Sequence, residues 1–219
     1  RAGPLSIFKA LWETEDLVCS YDGCNYIAKD DSRSDTTWTH SDQSPLVDEV
    51  ACYQGLIALT SNSERTLVVY EGSHKWHKSY LMSLGLSETK LRVNWQKARP
   101  ADVGSWSSQK RVLNIPAGGM AIWDSRTFHQ GQYGKAGSEE RMVQYVSYLP
   151  RSGKGYTQAV QAKRQKYFNE LRTTSHWAYP LKVNSLQPNT YGDTSKRIDY
   201  SKIQRPDLSG LEERIQRLI

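Results

Sequence analysis

Along the first 150 positions, short apolar stretches alternate with polar breaks. Strand composition is predicted over residues 17–21, 26–29, 36–40, 52–60, 66–70, 111–115, 119–123 and 142–148, where β-branched and aromatic residues concentrate. The breaks are polar runs such as Asp30-Asp31-Ser32-Arg33-Ser34-Asp35 and Ser61-Asn62-Ser63-Glu64. Helical spacing is predicted in four places. Residues 4–13 carry Leu5, Phe8, Leu11 and Trp12 on one side, behind Pro4. Residues 75–92 align Trp76, Tyr80, Leu81 and Leu84. Residues 155–172 align Tyr156, Val160, Tyr167, Phe168 and Leu171, with the basic residues mostly on the other side. Residues 210–219 read as a short terminal helix, after a Pro-, Asn- and Ser-punctuated loop over 173–207. The step Ile115-Pro116-Ala117-Gly118-Gly119 is a tight turn between two strands, since Pro donates to no ladder and Gly takes positive φ. Many short strands with turn signals predict a mainly β chain with flanking helices (α+β), built as a sandwich or barrel.

Composition narrows this picture. The 219 residues suit one large domain, or a core over 1–150 with a helical and loop extension over 151–219. Apolar content of 37% and aromatic content of 11% mark a globular chain rather than a disordered one. No apolar run approaches the roughly 20 residues of a membrane span. Three cysteines (Cys19, Cys24, Cys52) make no complete metal set, and no signal peptide pattern is present, so a reduced, intracellular (cytoplasmic) setting is expected. A start at Arg1 without Met is expected of a chain trimmed at its N-terminus. The net charge of +6 arises in the last third: residues 151–219 hold 13 Lys and Arg against 6 Asp and Glu, while residues 1–150 hold 16 against 17. That excess fits a contact surface for nucleic acid or another polyanion. It also fits a solvated helical face, the plainer reading, because no basic run exceeds a pair such as Lys163-Arg164.

The chemistry is carried by His40-Ser41-Asp42, His129 and Arg141. On a strand, residues i and i+2 share a face, so His40 and Asp42 can point into one interior. Two imidazoles and one carboxylate are the donor set that holds non-haem Fe(II) with positions left open. An arginine twelve residues beyond the last ligand supplies the fork that grips a dicarboxylate. On spacing alone, the same residues also read as ordinary polar positions, with Asp42 capping a turn and Arg141 in a surface pair.

Three strings tip that balance. Trp38-Thr39-His40-Ser41-Asp42-Gln43-Ser44-Pro45 resembles the metal-binding segment of the phytanoyl-CoA dioxygenase-like family. Val69-Tyr70-Glu71-Gly72-Ser73-His74-Lys75 is similar to that family's Gly-Ser-His-Lys turn after a core strand. The stretch from Ile115 to His129 resembles the strand-turn-strand that leads to its last ligand. The matches run in the family's order over about residues 17–150. The resemblance implies a double-stranded β-helix (a jelly-roll, cupin-like barrel) and Fe(II), 2-oxoglutarate and O2 as cofactor and cosubstrates. It implies His40, Asp42 and His129 as catalytic metal ligands and Arg141 as the 2-oxoglutarate anchor. The implied reaction is hydroxylation of a substrate C–H bond coupled to conversion of 2-oxoglutarate to succinate and CO2. Halogenating relatives carry a small residue in place of the carboxylate ligand, so the presence of Asp42 favours hydroxylation.

Around these residues, Trp38, Gln54, Trp123 and Arg126 are candidates for the pocket wall and cosubstrate contact, with Gln54 able to bond the 2-oxoglutarate carboxylate. Asp124 and Arg126, two apart, either pair to support His129, the favoured reading, or leave Arg126 free for an anionic substrate. Tyr21, Asp22 and Asn25 are weaker candidates for cosubstrate or substrate contact. His74 and His77 read as turn histidines before a second metal site, and His176-Trp177 as packing before a lid. The expected substrate is a small organic molecule. The alternatives are the same chemistry on nucleic acid or protein, and a catalytically silent metal-binding jelly-roll module. Against nucleic acid, Arg141 is followed by Met142-Val143-Gln144-Tyr145 with no second Arg until Arg151, unlike the arginine-rich signature of alkylation-repair dioxygenases.

Overall fold

The structure, a computed structural model, describes residues 2–181, 187, 190 and 192–219. In chain order the helices are α1 (Ala2–Trp12), α2 (His77–Ser83), α3 (Glu88–Leu91), α4 (Pro100–Ser105), α5 (Gln158–Asn169) and α6 (Glu212–Leu218). The strands are β1 (Leu17–Cys19), β2 (Cys24–Ile27), β3 (His40–Ser41), β4 (Tyr53–Ala58), β5 (Leu67–Tyr70), β6 (Gln96–Lys97), β7 (Lys110–Val112), β8 (Met120–Asp124), β9 (His129–Gly131) and β10 (Arg141–Pro150). They form two compact units, Cys24–Ser147 and Arg1–Gly23 with Tyr148–Ile219.

The unit Cys24–Ser147 consists of antiparallel sheets with helices alongside. One sheet has the order β2–β10–β4–β8, with Gln54 of β4 opposite Ser147 on one side and Trp123 on the other. The second has the order β6–β3–β9–β5–β7. Period-2 alternation sends neighbours on β5 to opposite faces. Leu67 packs with Leu56, Ala58, Trp123 and Val143 of the first sheet. Val68 and Tyr70 pack instead with Leu81, Leu91, Val103 and Phe128, where α2, α3 and α4 cover the second sheet. Phe128 is the hub of that layer: it is fully buried, and its ring lies 5.1–5.5 Å from those of Trp76, Tyr80 and Trp106.

Several elements differ from the sequence reading. Of the strand expected over 36–40 only His40 is paired, and Asp42 lies just beyond the end of β3. The helix expected over 75–92 is two helices, because Gly85 takes a left-handed φ of 65° between them. β6, β9 and α4 are additional; α4 begins at Pro100, whose missing N–H costs nothing at a first helical position. The Pro116–Gly119 turn is as expected. Gly118 has φ +82°, and a Cβ on Gly119 would come within 2.8 Å of the Pro116 carbonyl oxygen. A further finding is Arg65, buried to 1% exposure, whose guanidinium donates to the carbonyls of Ala28, Lys29 and Asp31 and fixes the loop after β2.

In the unit of residues 1–23 and 148–219, β1 pairs with the Tyr148–Pro150 end of β10. Phe8 of α1 is fully buried with its ring 5.0 Å from that of Tyr148, and the Trp12 indole donates to the Tyr148 carbonyl. On α5 Val160, Tyr167 and Phe168 are half-buried as expected, whereas Tyr156 and Leu171 lie outside the helix, Leu171 is exposed, and the one fully buried residue is Arg164. That guanidinium donates to the carbonyls of Cys19, Ala178, Leu218 and Ile219 and lies over the Tyr21 ring. Arg151 is likewise engaged by Asp16, and Arg172 by Glu170. Part of the basic excess is therefore spent within the unit. The loop expected over 173–207 falls partly outside the described residues. Among the described residues no helix is long and apolar enough to cross a membrane.

Phe128→Ala is expected to cost about 3–5 kcal/mol of stability through the cavity it leaves, read as a lower urea midpoint with an unchanged slope. A loss under about 1 kcal/mol would mean that the aromatic layer repacks around the gap.

Candidate metal centre

Strand pairing brings the two histidines together. β9 lies between β3 and β5, and its register sets His129 opposite His40 on one side and Val69 on the other. The two imidazole centroids are 4.5 Å apart. Asp42 then turns in from the end of β3, its backbone N–H donating to the Ser125 carbonyl at 2.9 Å. One ligand atom from each of His40, Asp42 and His129 lies within 4.8 Å of the others, and all three residues are buried. Asp42 Oδ2 is 3.5 Å from His40 Nε2 and 3.3 Å from His129 Nε2. Bonds of roughly 2.1 Å to one ion separate neighbouring ligand atoms by about 3.0–3.4 Å, so these spacings suit a shared metal.

The hydrogen bonds set what each atom offers. His40 Nδ1 is 3.2 Å from the Trp38 carbonyl oxygen, and His129 Nδ1 is 2.9 Å from that of Thr127. A carbonyl accepts only, so each Nδ1 carries a proton and Nε2 is the nitrogen left to ligate a metal. Burial, and then the neighbouring His129, push the His40 imidazole below its usual range, against the pull of Asp42. Two imidazole lone pairs and a carboxylate oxygen thus converge on one buried point. Three acceptors without a positive charge between them repel one another, and a cation relieves this. The donor set therefore fits a divalent metal.

Polar side chains flank the triad on the inner face of the first sheet. Gln54 Nε2 donates to Asp42 Oδ2 at 3.1 Å, while its Oε1 is buried without a partner. The Trp123 ring lies 5.1 Å from that of His129, and its indole N–H is also buried and unpartnered. Alternation along β10 turns Arg141 to the same face as Val143, and Asn25 on β2 is directly opposite Val143. Arg141 is 2% exposed and hydrogen-bonded with the Tyr145 hydroxyl; among the described residues no carboxylate pairs with it, and its Nε has no partner. Burial lowers its pKa from the usual arginine range. Asn25 Oδ1 is a further buried atom without a partner. A Cβ on Gly131, two residues beyond His129, would sit 3.2 Å from Arg141 Nη1, so glycine there lets the guanidinium approach β9.

Other expected positions fall elsewhere. Arg126 follows the favoured pairing: Nε and Nη2 bind the Asp124 carboxylate, and Nη1 donates to the Asp48 carbonyl. Tyr21 and Asp22 belong to the other unit, as do His176 and Trp177, of which Trp177 is buried. His77 is buried with Nε2 3.0 Å from Ser41 Oγ, while His74 sits in a short 3-10 turn. Among the described residues the His40–Asp42–His129 group is the one metal-competent cluster found.

Three supporting residues escaped the sequence reading. Gln43 is fully buried and uses both ends of its amide: Oε1 accepts from Ala51 N–H and the Ser125 hydroxyl, and Nε2 donates to the carbonyls of Val47 and Glu49. Gln130 Oε1 accepts from the Trp38 N–H and the Thr39 hydroxyl, bracing the segment before His40. Trp95 places its ring 5.6 Å from that of His40. A glutamine beside a ligand has no distinctive spacing, so only the tertiary contacts reveal these roles.

No protein-family model matches the chain. Over 162 residues it is 27% identical to Ava biosynthesis cluster protein O of Aspergillus versicolor, an overlap of 68% of this chain and 52% of that protein. The chain thus spans about half the length of this curated relative. Among solved structures it is similar to apo ThoJ, a non-heme monooxygenase, with a TM-score of 0.47 and 14% identity over 68% of this chain and 52% of that one. It is also similar to the epimerase SnoN in complex with Fe3+, alpha ketoglutarate and nogalamycin RO, with a TM-score of 0.44 and 17% identity over 68% and 56% of the two chains.

His77 makes the unit that carries the triad sensitive to acid. Burial pushes its imidazole down from 6.5 to about 4. As pH falls below about 6.5 the unfolded chain takes up this proton while the folded chain does not. The stabilisation is therefore complete above about 6.5 and falls by up to ~1.4 kcal/mol per pH unit toward 4. Urea midpoints of the metal-free protein at pH 7.5 and 5.0 should show the drop, and His77→Gln, which keeps a neutral polar group beside Ser41, should reduce it. An equal drop in the variant would assign the sensitivity to other groups.

Proposed function

We propose that the chain is the core of an Fe(II)/2-oxoglutarate-dependent dioxygenase with a double-stranded β-helix fold, of the phytanoyl-CoA dioxygenase-like kind, that hydroxylates a small organic molecule. The observation that carries this reading is the buried convergence of two oriented imidazole lone pairs and one carboxylate. In this reading His40, Asp42 and His129 hold the metal from one side, leaving the other side for cosubstrate and O2. When bound, iron with 2-oxoglutarate and O2 supplies the oxidising chemistry that yields succinate, CO2 and a hydroxylated product. The protein's own part is placement. Gln54 holds one oxygen of Asp42 and so orients the carboxylate. Arg141, a buried cation with no carboxylate partner among the described residues, offers its guanidinium to the distal carboxylate of the cosubstrate. Trp123 and Gln54 offer a donor and an acceptor beside the triad. Asp42 supplies the carboxylate ligand that favours hydroxylation over halogenation. The biosynthesis-cluster name of the Aspergillus versicolor relative supports a small organic substrate.

Calorimetric titration with Co(II) and then 2-oxoglutarate tests the assignment. His40→Ala and Asp42→Ala are expected to abolish measurable metal binding, and Gln54→Leu to weaken it by about 10–100-fold. Arg141→Leu is expected to retain metal but lose 2-oxoglutarate binding. With Fe(II) and O2 the unaltered protein should form succinate slowly even without its primary substrate, and His40→Ala should not. A metal-loaded protein that binds no 2-oxoglutarate would overturn the reading.

A further inference from the structure

The His40 ring is bordered by two tryptophans that no metal chemistry requires. Trp38 stacks on it at 4.8 Å between centroids with an interplanar angle of 21°, and Trp95 lies 5.6 Å away at 35°. Both remain open to solvent, Trp38 at 37% and Trp95 at 53% exposure, although His40 itself is buried. Trp38 is not loose: its indole N–H donates to the Gly131 carbonyl at 3.0 Å, fixing the ring between His40 and the β9 residue that Arg141 approaches. Val93, Leu46 and Val47 are also exposed. Their two segments are tied together by Ser44, whose N–H donates to Asn94 Oδ1 and whose hydroxyl donates to the Leu91 carbonyl, and by the β3–β6 ladder. Exposed apolar residues concentrated on adjoining segments mark an interaction surface rather than random scatter.

We infer that Trp38 and Trp95 form an aromatic rim that selects a flat, mainly apolar aromatic small molecule and delivers its reactive end to the triad; the inference rests on the oxygenase reading above. The occupant is taken as a small molecule rather than a protein surface because the triad is buried and the two exposed rings contact its His40 member. It is aromatic because the ring faces of tryptophan favour another π-face over a saturated ring of equal size. Its inner end is polar, since the groups left unpartnered beside the triad are the Trp123 indole N–H and Gln54 Oε1. A single ring system bearing a hydroxyl meets both requirements.

The test compares 2-naphthol with its saturated counterpart 2-decalol by calorimetric titration of the Co(II)-loaded protein. The expected result is about fivefold tighter binding of 2-naphthol. Trp95→Ala should remove that preference when the variant is saturated with Co(II). Trp38→Phe, which keeps a ring but loses the bond to Gly131, should retain at least half of the preference, and Trp38→Leu should lose it. Equal affinity for the two probes, or a preference that survives both Trp95→Ala and Trp38→Leu, would overturn the inference. A protein that binds Co(II) and 2-oxoglutarate but shows no preference would lose the rim and keep the oxygenase reading. A protein that prefers 2-naphthol in its Co(II)-free form but takes up no Co(II) would lose the oxygenase reading instead.

Discussion

The site depends on a single cross-strand pair, His40 opposite His129. The two residues are far apart in sequence, and β3 and β9 are only two and three residues long. Such short strands gain little from their own ladder, so neighbours must hold the register. β9 is held by β5 on its far side, and β3 by β6 on its own. A slip of one residue in either strand would turn an imidazole to the opposite face. The carbonyls that accept from each Nδ1 come from Trp38 and Thr127, each two residues before its histidine, so the backbone that sets the register also sets the tautomer.

The surrounding structure can be read as support for that pair. The Phe128 layer backs β9 from the helical side, and the Phe128 N–H donates to the buried Ser73 hydroxyl at 2.8 Å. Gln43 braces the stretch after Asp42: with every partner of its amide on main chain or Ser125, it ties residues 47–51 to the end of β8. Fully satisfied buried amides rigidify their surroundings, whereas a partly satisfied one destabilises them. His77 adds a bond to Ser41, between two members of the triad in sequence. The ligand-bearing segment is thus gripped on the side away from the converging ligand atoms, which suits a site that must keep its geometry as ligands come and go.

Much of this was legible in the residues, and the losses have identifiable causes. The long strands β4, β5, β8 and β10 carry β-branched and aromatic runs, and each was expected near its observed bounds. β6 and β9 were not expected, because Gln96-Lys97 and His129-Gln130-Gly131 have no strand composition and exist by pairing alone. The His40-x-Asp42 spacing suggested two residues on one strand face; in fact the strand ends at Ser41, and Asp42 reaches the histidines through a turn anchored on the Ser125 carbonyl. Arg164 was counted with a solvated helical face and Arg65 was not singled out, since nothing in a sequence separates an arginine that cages main-chain carbonyls from one in water. The contribution of residues 1–23 to a unit with residues 148–219 was hidden for a similar reason: it rests on β1 meeting the end of β10.

The distribution of unsatisfied groups argues for where ligands belong. An orphaned buried donor or acceptor costs roughly 1–3 kcal/mol, a large fraction of the stability of an ordinary domain. The Gln43 amide and the Arg164 guanidinium are each held by four hydrogen bonds to protein. On the inner face of the first sheet, Gln54 Oε1, Trp123 Nε1, Arg141 Nε and Asn25 Oδ1 are left without protein partners. They share one face by strand register, and they comprise two donors and two acceptors, so they cannot be explained as a single charge seeking a counter-ion. A set of that composition matches bound ligands that between them both accept and donate hydrogen bonds. Other unpartnered buried atoms, such as Asn62 Oδ1, Arg65 Nε and Trp177 Nε1, are scattered, whereas these four gather on one face beside the triad, as local rules broken together do where function is placed. The burden of stability then falls on the Phe128 layer and the buried arginines, which leaves the inner face free to remain polar.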